Sequence, residues 1–337
     1  MRYINDSLKG KKILITGGAG FIGSNLALYF QKHHKAEVII FDSFRSEKTF
    51  HNGHFKSLGH FKNLLDFKGE VIVGDITNKD DLVRLKSYHF DYIFHQAAIS
   101  DTTIMNQEDI LRANVNAYKD LLDLCVHQGA RMIYASSAGV YGNSPAPNSI
   151  GSGEIPENVY GFSKLMMDNL TQKYLQNYPH LNIVGLRYFN VYGKKEVYKG
   201  KTASMVLQLG LQALKHKKVR LFKMGEQKRD FVYIDDVIQA NIKAMQSKKS
   251  GVYNVGSGMA NSYNAIVECL KTDLGEFAVE YFDNPYAFFQ THTEANITKT
   301  QEFLDYAPRF SLELGIKEYL GEIQAIHTSG LWNEVVG

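Results

Sequence analysis

The chain has 337 residues, of which 44% are hydrophobic and 22% charged, and its six prolines belong to no low-complexity tract. Lysine and arginine together number 38 against 35 for aspartate and glutamate, a formal balance of +3, and the basic residues are scattered along the chain. This composition predicts two closely joined globular domains and argues against a nucleic-acid-binding protein, which would carry a basic stripe.

The two cysteines, Cys125 and Cys269, both lie in apolar, helix-like stretches. We therefore expect two buried free thiols and a reducing compartment. The first ten residues hold no apolar signal core, and no apolar run reaches the length of a membrane span. These features predict a cytoplasmic protein that does not contact a membrane.

The first half of the chain alternates short apolar β-type runs with helical patterns. Strands are predicted at residues 12–16, 37–42, 70–75, 91–95, 131–136 and 181–187. Helices are predicted between them, at residues 24–33, 80–87, 110–128 and 162–178. Strands that alternate with helices predict an α/β fold, a doubly wound parallel Rossmann sheet with right-handed crossovers.

This alternation ends at about Asn190, where the chain becomes richer in aromatic residues, lysine and glycine. Further helices are predicted at residues 204–216, 235–246 and 264–274. We expect a dinucleotide-binding Rossmann domain over residues 1–190, with residues 230–258 packing back on it. Residues 191–229 and 259–337 would then form a smaller C-terminal substrate-binding lobe, with the ligand site in the cleft between the two.

A glycine-rich segment, TGGAGFIG at residues 16–23, follows the first predicted strand and opens the first predicted helix. Gly17 would make the tight turn, Gly20 would let the backbone approach a pyrophosphate, and Gly23 would let helix and strand pack closely. The pyrophosphate would lie at the helix N-terminus, where free amides and the helix dipole favour an anion. A structural turn can also use glycines, but the flanking strand and helix favour a dinucleotide site.

The loop after the second predicted strand bears on the choice between two cofactors. Asp42 favours the free ribose hydroxyls of NAD and repels a 2′-phosphate. Arg45 and Lys48 would neutralise that phosphate and so admit NADP, although both are equally consistent with solvated loop cations. The local chemistry leaves NAD and NADP open.

A tyrosine and a lysine four residues apart, Tyr160 and Lys164, fall on one face at the start of a predicted helix. Lys164 would lower the pKa of the phenol and reach the nicotinamide ribose, so that Tyr160 takes a proton from a sugar alcohol as hydride leaves carbon. Ser137, at the end of the fifth predicted strand, would hold the same oxygen by a hydrogen bond. Such a pair is common by chance on helix surfaces, and the glycine-rich turn makes it more specific.

Three histidines, His51, His54 and His60, lie in a polar stretch that has no acidic or cysteine companions nearby. We expect a surface loop there and no metal site.

Over nearly its whole length the chain resembles the extended short-chain dehydrogenase/reductase family, that is, the NAD-dependent epimerases and dehydratases. Within that family it is most similar to the 6-epimerases of ADP-activated heptoses. The matching segments are TGGAGFIGSN (16–25), HQAAISDTT (95–103), YASSAGVYG (134–142), NVYGFSK (158–164), LRYFNVYG (186–193), KGKTASM (199–205), RDFVYIDDV (229–237) and YAFFQTHTEA (286–295). The last segments discriminate best, because they lie in the substrate lobe and are not shared by the whole superfamily.

The resemblance implies an isomerase that inverts carbon 6 of the heptose in ADP-D-glycero-D-manno-heptose, for lipopolysaccharide inner-core synthesis. The sugar would be oxidised transiently to a ketone with tightly held NADP and reduced again on the other face. Tyr160 and Lys199 would share the two acid/base roles, with Lys164 and Ser137 as further catalytic residues. Without the resemblance, Lys199 is one more cation in a lysine-rich loop. A homo-oligomer is expected by analogy with other sugar-nucleotide enzymes.

Matched position by position, the resemblance also implies two sets of binding residues. Around the cofactor it places Gly17, Gly20, Phe21, Ile22, Gly23, Asp42, Ser43, Arg45, Lys48, Asp75, Ile76, Gln96, Ala97, Ala98, Ile99, Ser100, Asn114, Tyr160, Lys164, Val191 and Lys199. Around the nucleotide-sugar it places Ser100, Ser137, Asn190, Lys201, Gln208, Phe222, Arg229 and Tyr286. Arg229 would bind the diphosphate, because a guanidinium fork matches phosphate oxygens. The resemblance favours NADP over the NAD that Asp42 suggests.

The sequence departs from the family pattern at four of these neighbouring positions, Lys194, Lys195, Lys201 and Gln208, where proline, arginine, serine and histidine are usual. The departures concern substrate contacts more than the reaction.

Two alternatives remain: a related nucleotide-sugar 4-epimerase or dehydratase, and a non-catalytic dinucleotide-sensing regulator. A dehydratase has an acidic pair where this chain has Ala138 and Gly139. Lys199 argues against a plain 4-epimerase, and the intact Tyr160 and Lys164 argue against a regulator.

Overall fold

The computed structural model describes residues 2–283 and 290–336. The strands of this part of the chain are β1 (Lys12–Thr16), β2 (Glu37–Asp42), β3 (Glu70–Val73), β4 (Tyr92–His95), β5 (Arg131–Ser137), β6 (Ile183–Tyr188), β7 (Asn190–Tyr192), β8 (Lys218–Phe222), β9 (Lys228–Tyr233), β10 (Gly251–Val255), β11 (Ala260–Ser262) and β12 (Ala278–Phe282). The helices are α1 (Phe21–His33), α2 (Lys79–Leu85), α3 (Gln107–Leu111), α4 (Ala117–Gln128), α5 (Val159–Asn177), α6 (Met205–His216), α7 (Ile234–Gln246), α8 (Tyr263–Leu274), α9 (Thr298–Leu304), α10 (Leu312–Ser329) and α11 (Leu331–Val336).

Seven strands form one sheet in the order β10-β6-β5-β4-β1-β2-β3, and every pairing in it is parallel. This order confirms the doubly wound parallel Rossmann sheet that the sequence predicts. The strand order reverses between β1 and β4, and in such sheets ligands bind beyond the carboxyl ends of the strands at that reversal.

Alternate side chains of each central strand enter different cores on the two faces of the sheet. Ile13 and Ile15 of β1 pack with Phe30 of α1, whereas Leu14 faces the opposite core with Leu121 of α4. The continuous apolar runs of the sequence are therefore strands buried on both faces, as expected for parallel sheets.

Helix α1, which follows the glycine-rich turn, and helix α5, which contains Tyr160 and Lys164, both begin earlier than the sequence predicts. Helix α1 starts at Phe21 rather than at residue 24, because the extended Gly20 is its N-cap. Helix α5 starts at Val159, where the Asn158 side chain accepts a hydrogen bond from the backbone N–H of Gly161. Tyr160 therefore lies in the first turn of α5.

The second half of the chain adds smaller sheets and a helical layer. Strands β11, β9 and β7 form one small sheet, β12 and β8 form another, and β10 returns to pair with β6 at the edge of the large sheet. Helices α6, α8 and α10 pack on each other through apolar side chains that include Leu207, Leu270 and Ile323. None of these six strands is predicted from the sequence.

Both cysteines of the chain are free, but only Cys125 is buried, and Cys269 is partly exposed. The expectation of two buried thiols is therefore wrong for Cys269, which packs against the core from α8 but is only partly buried. Among the helices of the described residues, none combines the length and the apolar character needed to cross a bilayer.

Candidate active site

The glycine-rich turn between β1 and α1 forms a cradle at the carboxyl edge of the large sheet. Gly17 has a φ of +69°, and a Cβ there would lie 2.6 Å from the backbone nitrogen of Ala97. A Cβ on Gly23 would lie 2.2 Å from the carbonyl oxygen of Gly17. Gly20 caps α1 without a side chain, and the first turn holds no acidic residue, which leaves its amides available to an anion. The cradle fits a pyrophosphate.

Asp42, at the end of β2, is turned into the protein. One carboxylate oxygen accepts the backbone N–H of Ala19 at 2.9 Å, and the other accepts that of Phe44 at 2.8 Å. Gly59 covers the carboxylate so closely that a Cβ there would lie 2.2 Å from its oxygen Oδ1. Burial raises the pKa of the Asp42 carboxyl, against the two N–H donors, which lower it. The carboxylate is thus already engaged by the protein itself.

The loop that follows β2 contains the predicted phosphate ligands. The side chains of Ser43 and Lys48 are exposed, and the Ser43 hydroxyl donates to Ser57 at 3.1 Å. Arg45 lies over the ring of Phe55 and donates to the backbone carbonyl of Tyr198. Its Nε–H is buried without a hydrogen-bond partner. Arg45 is therefore not the solvated loop cation of the simpler interpretation.

Residues 96–100, which follow β4, pack against the glycine-rich turn at Ala97 and are held in place by hydrogen bonds from Asn114. This buried side chain accepts the N–H of Ile99 at 2.9 Å, donates to the Ile99 carbonyl at 3.0 Å, and donates to the Ser163 hydroxyl at 2.9 Å. Gln96 contacts the Tyr188 hydroxyl at 3.2 Å. Asn114 thus connects this loop to α5, whereas Ala97, Ala98 and Ile99 are partly exposed and Ser100 is exposed.

Asp75, Ile76 and Val191 are three other residues predicted to contact the cofactor. The carboxylate of Asp75 accepts from the backbone N–H and the hydroxyl of Thr77, at 2.8 and 2.9 Å. Ile76 is buried beside it, and Val191 packs against the core from β7.

Tyr160, Ser137 and Lys164 lie together where β5 ends and α5 begins. The Lys164 ammonium is 5.9 Å from the centroid of the Tyr160 ring and donates to the carbonyl of Ala135 at 2.7 Å. Burial raises the pKa of Tyr160, and the neighbouring Ser137 hydroxyl lowers it to a lesser extent. The predicted lowering by Lys164 is not among the influences on this phenol, so Tyr160 keeps its proton at neutral pH.

The ammonium of Lys164 is itself destabilised by its surroundings. Burial lowers the pKa of Lys164 to about 8, against the negative charge of Asp168, which raises it. Asp168 lies one turn further along α5 and accepts from the hydroxyls of Tyr134 and Ser136 at 2.8 and 3.0 Å. It also pairs with the buried Arg187 guanidinium at 2.8 Å. Asp168 was not predicted as a site residue, although its i+4 spacing from Lys164 is a recognisable signal.

Lys199 lies on a short 3₁₀ segment, Val197–Thr202, which we call the Lys199 segment. Its ammonium is 5.6 Å from the centroid of the Phe21 ring at the glycine-rich turn. Burial lowers the pKa of Lys199, and the charge of Glu196 partly opposes that effect. The structure thus brings Lys199 to the predicted cofactor cradle.

Two histidines of the stretch expected to be a surface loop make specific contacts. The His60 ring stacks on Tyr198, with ring centroids 3.9 Å apart and planes 1° apart. His54 pairs with Asp101 at 2.5 Å. The described residues contain no group of three or more potential metal ligands of the His, Cys, Asp or Glu type. His60, together with Arg45, holds the Lys199 segment at Tyr198, and no sequence signal indicated this contact.

The predicted substrate residues are spread over the second half of the chain. Asn190 and Lys201 are exposed, and Phe222 is half-buried. Gln208 donates to the carbonyls of Lys201 and Ala203, at 3.3 and 2.8 Å. Tyr286 lies outside the described residues.

Arg229, the predicted diphosphate ligand, is only 8% exposed. Its guanidinium carbon lies 6.0 Å from the centroid of the Tyr263 ring and its Nη1 donates to the carbonyl of Lys228. Burial lowers the pKa of Arg229. A buried guanidinium on β9 is suited to a strongly anionic group.

Comparison with known proteins gives a family for these features. Residues 13–256 match the model of the NAD dependent epimerase/dehydratase family. The structure resembles the ADP-L-glycero-D-manno-heptose-6-epimerase of Helicobacter pylori, with a TM-score of 0.90 and 57% sequence identity, over 97% of this chain and 100% of that one.

More distant similarity extends to epimerases of UDP-sugars. The UDP-glucose 4-epimerase of Thermotoga maritima, solved with UDP-glucose, has a TM-score of 0.82 and 27% identity, over 93% of this chain and 99% of that one. The UDP-glucuronic acid 4-epimerase of Bacillus cereus, solved with UDP-glucuronic acid and NAD, has a TM-score of 0.79 and 30% identity, over 94% and 99%.

Proposed function

This chain belongs to the NAD dependent epimerase/dehydratase family, and on that basis we propose that it is an isomerase acting on an ADP-activated heptose. It inverts carbon 6, converting ADP-D-glycero-D-manno-heptose to ADP-L-glycero-D-manno-heptose, a precursor for the lipopolysaccharide inner core. The observation that carries this proposal is the full-length likeness to the Helicobacter pylori enzyme, whose identity far exceeds that of either UDP-sugar 4-epimerase.

The reaction needs a hydride transfer, which the cofactor would supply, and proton transfers, which side chains of the site would supply. When bound, a nicotinamide dinucleotide accepts a hydride from carbon 6 and returns it to the opposite face of the ketone. The protein handles the proton on the carbon-6 oxygen, which leaves during oxidation and returns during reduction. Because the two steps use opposite faces, we assign one proton transfer to Tyr160 and the other to Lys199.

The electrostatics of the site suit these roles. Burial raises the pKa of Tyr160 and so keeps the phenol in its protonated, proton-donating form, and positive charge nearby favours the phenolate that acts as a base. Lys164, with a pKa of about 8, is mostly charged at pH 7 and stands 5.9 Å from the phenol ring. The lowered pKa of Lys199 brings its amine closer to the range in which it can both give and take a proton.

We propose NADP as the cofactor. Two backbone N–H groups and Gly59 occupy the surroundings of the Asp42 carboxylate, which weakens its repulsion of a 2′-phosphate. The unpaired, buried Nε–H of Arg45 in the next loop is a donor for such a phosphate. Ser43 and the exposed Lys48 complete the proposed phosphate contacts.

We further infer a cytoplasmic homo-oligomer. The two free cysteines suit a reducing compartment. Light scattering of the purified protein measures the oligomeric state, and a monomeric mass would overturn that part of the inference.

The test of the proposed function is incubation of the purified protein with each ADP-heptose epimer, followed by NMR at carbon 6. We expect both samples to reach the same epimer mixture without added cofactor. The cofactor released by denaturation is then typed enzymatically, with NADP as the expected result. Turnover of UDP-galactose and none of the ADP-heptoses would establish the 4-epimerase alternative instead.

A further inference from the structure

Glu196, three residues before Lys199, is a buried carboxylate that takes no part in the proposed proton transfers. It is fully shielded from solvent. One of its oxygens accepts the backbone N–H of Gly193 at 3.1 Å and the hydroxyl of Ser204 at 2.7 Å. The other accepts the backbone N–H of Ser204 at 2.7 Å. These bonds connect the chain just before the Lys199 segment to the chain just after it.

The contacts of Glu196 therefore close a loop around the segment. The Glu196 carbonyl also accepts the backbone N–H of Lys199 at 2.9 Å, which fixes the direction in which the segment leaves. A buried carboxylate that accepts three protein hydrogen bonds costs less to bury than an unpaired one, but it still lacks a formal counter-charge among them.

Lys199 supplies that counter-charge from a distance. Burial raises the pKa of Glu196, and the charge of Lys199 is the largest of the influences that lower it; Glu196 in turn raises the pKa of Lys199. In the part of the chain that the structure describes, the hydrogen bonds of the Glu196 carboxylate come from Gly193 and Ser204, and the Lys199 ammonium forms no ion pair with it within 4 Å. The Lys199 ammonium is thus stabilised by a carboxylate that leaves its hydrogens free for a substrate.

Other charged or titratable groups around this pair come from neighbouring elements. Tyr192 on β7 and Tyr319 on α10 face Glu196, and burial holds the pKa of both phenols well above its usual range, so they stay neutral. Glu322 on α10 accepts the backbone N–H of Lys195 at 2.7 Å. Arg45 reaches the segment at the Tyr198 carbonyl. Among the charged groups near the segment, Glu196 is the one whose negative charge raises the pKa of Lys199.

We propose that Glu196 is a positioning residue that fixes the Lys199 segment and keeps Lys199 charged between proton transfers, without bonding its ammonium. This role rests on the proton-transfer function proposed for Lys199. It predicts that the protonation of Lys199 depends on the charge of Glu196 whether or not the chain turns over a sugar.

The test measures protonation of Lys199 directly. The full-length protein is pulse-labelled with limiting acetic anhydride between pH 6 and pH 11, and labelling of Lys199 is quantified by peptide mass spectrometry. In Glu196→Gln we expect the midpoint for Lys199 to move down by about one pH unit, because a nearby opposite charge raises a lysine pKa by roughly that amount or more. The matched control is Glu322→Gln, which removes a carboxylate bonded to the same stretch of chain and leaves the midpoint in place.

A second variant keeps the test decisive if the buried amide of Glu196→Gln prevents folding. Glu196→Asp retains the charge on a side chain one methylene shorter, so it loses part of the hydrogen-bond set and should give an intermediate midpoint. An unchanged midpoint in whichever variant folds would overturn the proposal, as would an equal shift in Glu322→Gln.

Activity assays separate this proposal from the proposed function. If Lys199→Met is fully active while Glu196→Gln shifts the Lys199 midpoint, then the acid/base assignment fails and the charge coupling stands. If Lys199→Met is inactive and the midpoint does not move, the coupling fails and the acid/base assignment stands. With both correct, Glu196→Gln shifts the Lys199 labelling midpoint, lowers kcat, and leaves the KM for the sugar nearly unchanged.

Discussion

The Tyr160 phenol lies near the Ser137 hydroxyl, with the Lys164 ammonium 5.9 Å from its ring centroid, and Tyr160→Phe removes the phenol hydroxyl alone. We expect interconversion of the ADP-heptose epimers to fall by about 10²–10⁴-fold, the usual contribution of a positioned acid or base. Bound cofactor should be retained, because the ring and Lys164 remain. The assay is NMR of the epimer ratio over time. Tyr178→Phe, at the exposed end of the same helix, is the control, and more than a tenth of parental activity in Tyr160→Phe contradicts the assignment.

Lys199→Met tests the second proton transfer. Methionine preserves most of the side-chain volume over Phe21 and removes the amine, so we expect a similarly large loss of kcat with cofactor still bound. Lys201→Met, from the same segment but with an exposed side chain, should instead raise KM and leave kcat nearly intact. Steady-state kinetics with both variants separates the two effects. Near-full activity of Lys199→Met would show that Tyr160 acts alone or with another group.

The pH dependence of the reaction follows from Lys164. Burial lowers its pKa to about 8, so the ammonium is present below that pH and is lost as the pH rises through it. We expect kcat/KM to fall on the alkaline side with a midpoint near 8. Lys164→Arg keeps a positive charge throughout this range. Its residual activity should therefore lack that limb, and a limb that stays near pH 8 in the arginine variant would assign it to another group.

Several side chains of the candidate site were predicted from residue type and spacing or from the family resemblance, but their partners were not. The resemblance places Asn114 at the cofactor, and the structure shows its amide bonded to Ile99 and Ser163, which are 15 and 49 residues away. Arg45 likewise contacts Tyr198, 153 residues later. Contacts of this kind depend on how the strands are ordered in space, which local patterns do not encode.

At the scale of elements, the turn between β1 and α1 combines a left-handed backbone at Gly17 with a close approach to the loop that follows β4. Gly17→Ala meets both obstacles, a φ of +69° and a Cβ 2.6 Å from the Ala97 nitrogen. Gly10→Ala meets only the first, because its φ is +77° but nothing lies within 4 Å. We expect Gly17→Ala to lose the copurifying nicotinamide nucleotide, as measured after denaturation, and Gly10→Ala to retain it. Equal retention by both would mean that the cradle is not the pyrophosphate site.

The strands whose bounds were predicted correctly from the sequence are buried on both faces. Strands β1 and β2 are continuous apolar runs, and their predicted bounds match the structure because both faces are buried. Strand β10 escaped prediction, since it contains the buried polar Asn254 and pairs with a strand more than sixty residues earlier. The small sheets escaped for the same reason: each depends on a partner that only the tertiary fold supplies.

At the scale of the whole molecule, the proposed cofactor site draws on distant parts of the chain. Contacts join three of these parts. Arg45, in the loop after β2, donates to the Tyr198 carbonyl of the Lys199 segment, and Lys199 lies near the Phe21 ring at the glycine-rich turn. A ligand that bridges them therefore stabilises the arrangement of the large sheet and the later segment together. Its binding free energy adds to the stability of the whole fold.

Removal of the cofactor should therefore lower the melting temperature of the protein, and its return should restore it. At a ligand concentration one hundred times Kd the added stability is about 2.7 kcal/mol, enough for a shift of several degrees. We expect NADP to restore the melting temperature at lower concentration than NAD, because Arg45 supplies a charge-assisted donor to the 2′-phosphate. Arg45→Met should reduce that advantage by about tenfold, the effect of one such bond, while Lys248→Met, an exposed cation after α7, should keep it. Scanning fluorimetry measures the melting temperature of the stripped parental protein and of both variants with each nucleotide. Equal restoration of the parental protein by NAD and NADP would contradict the assignment of NADP.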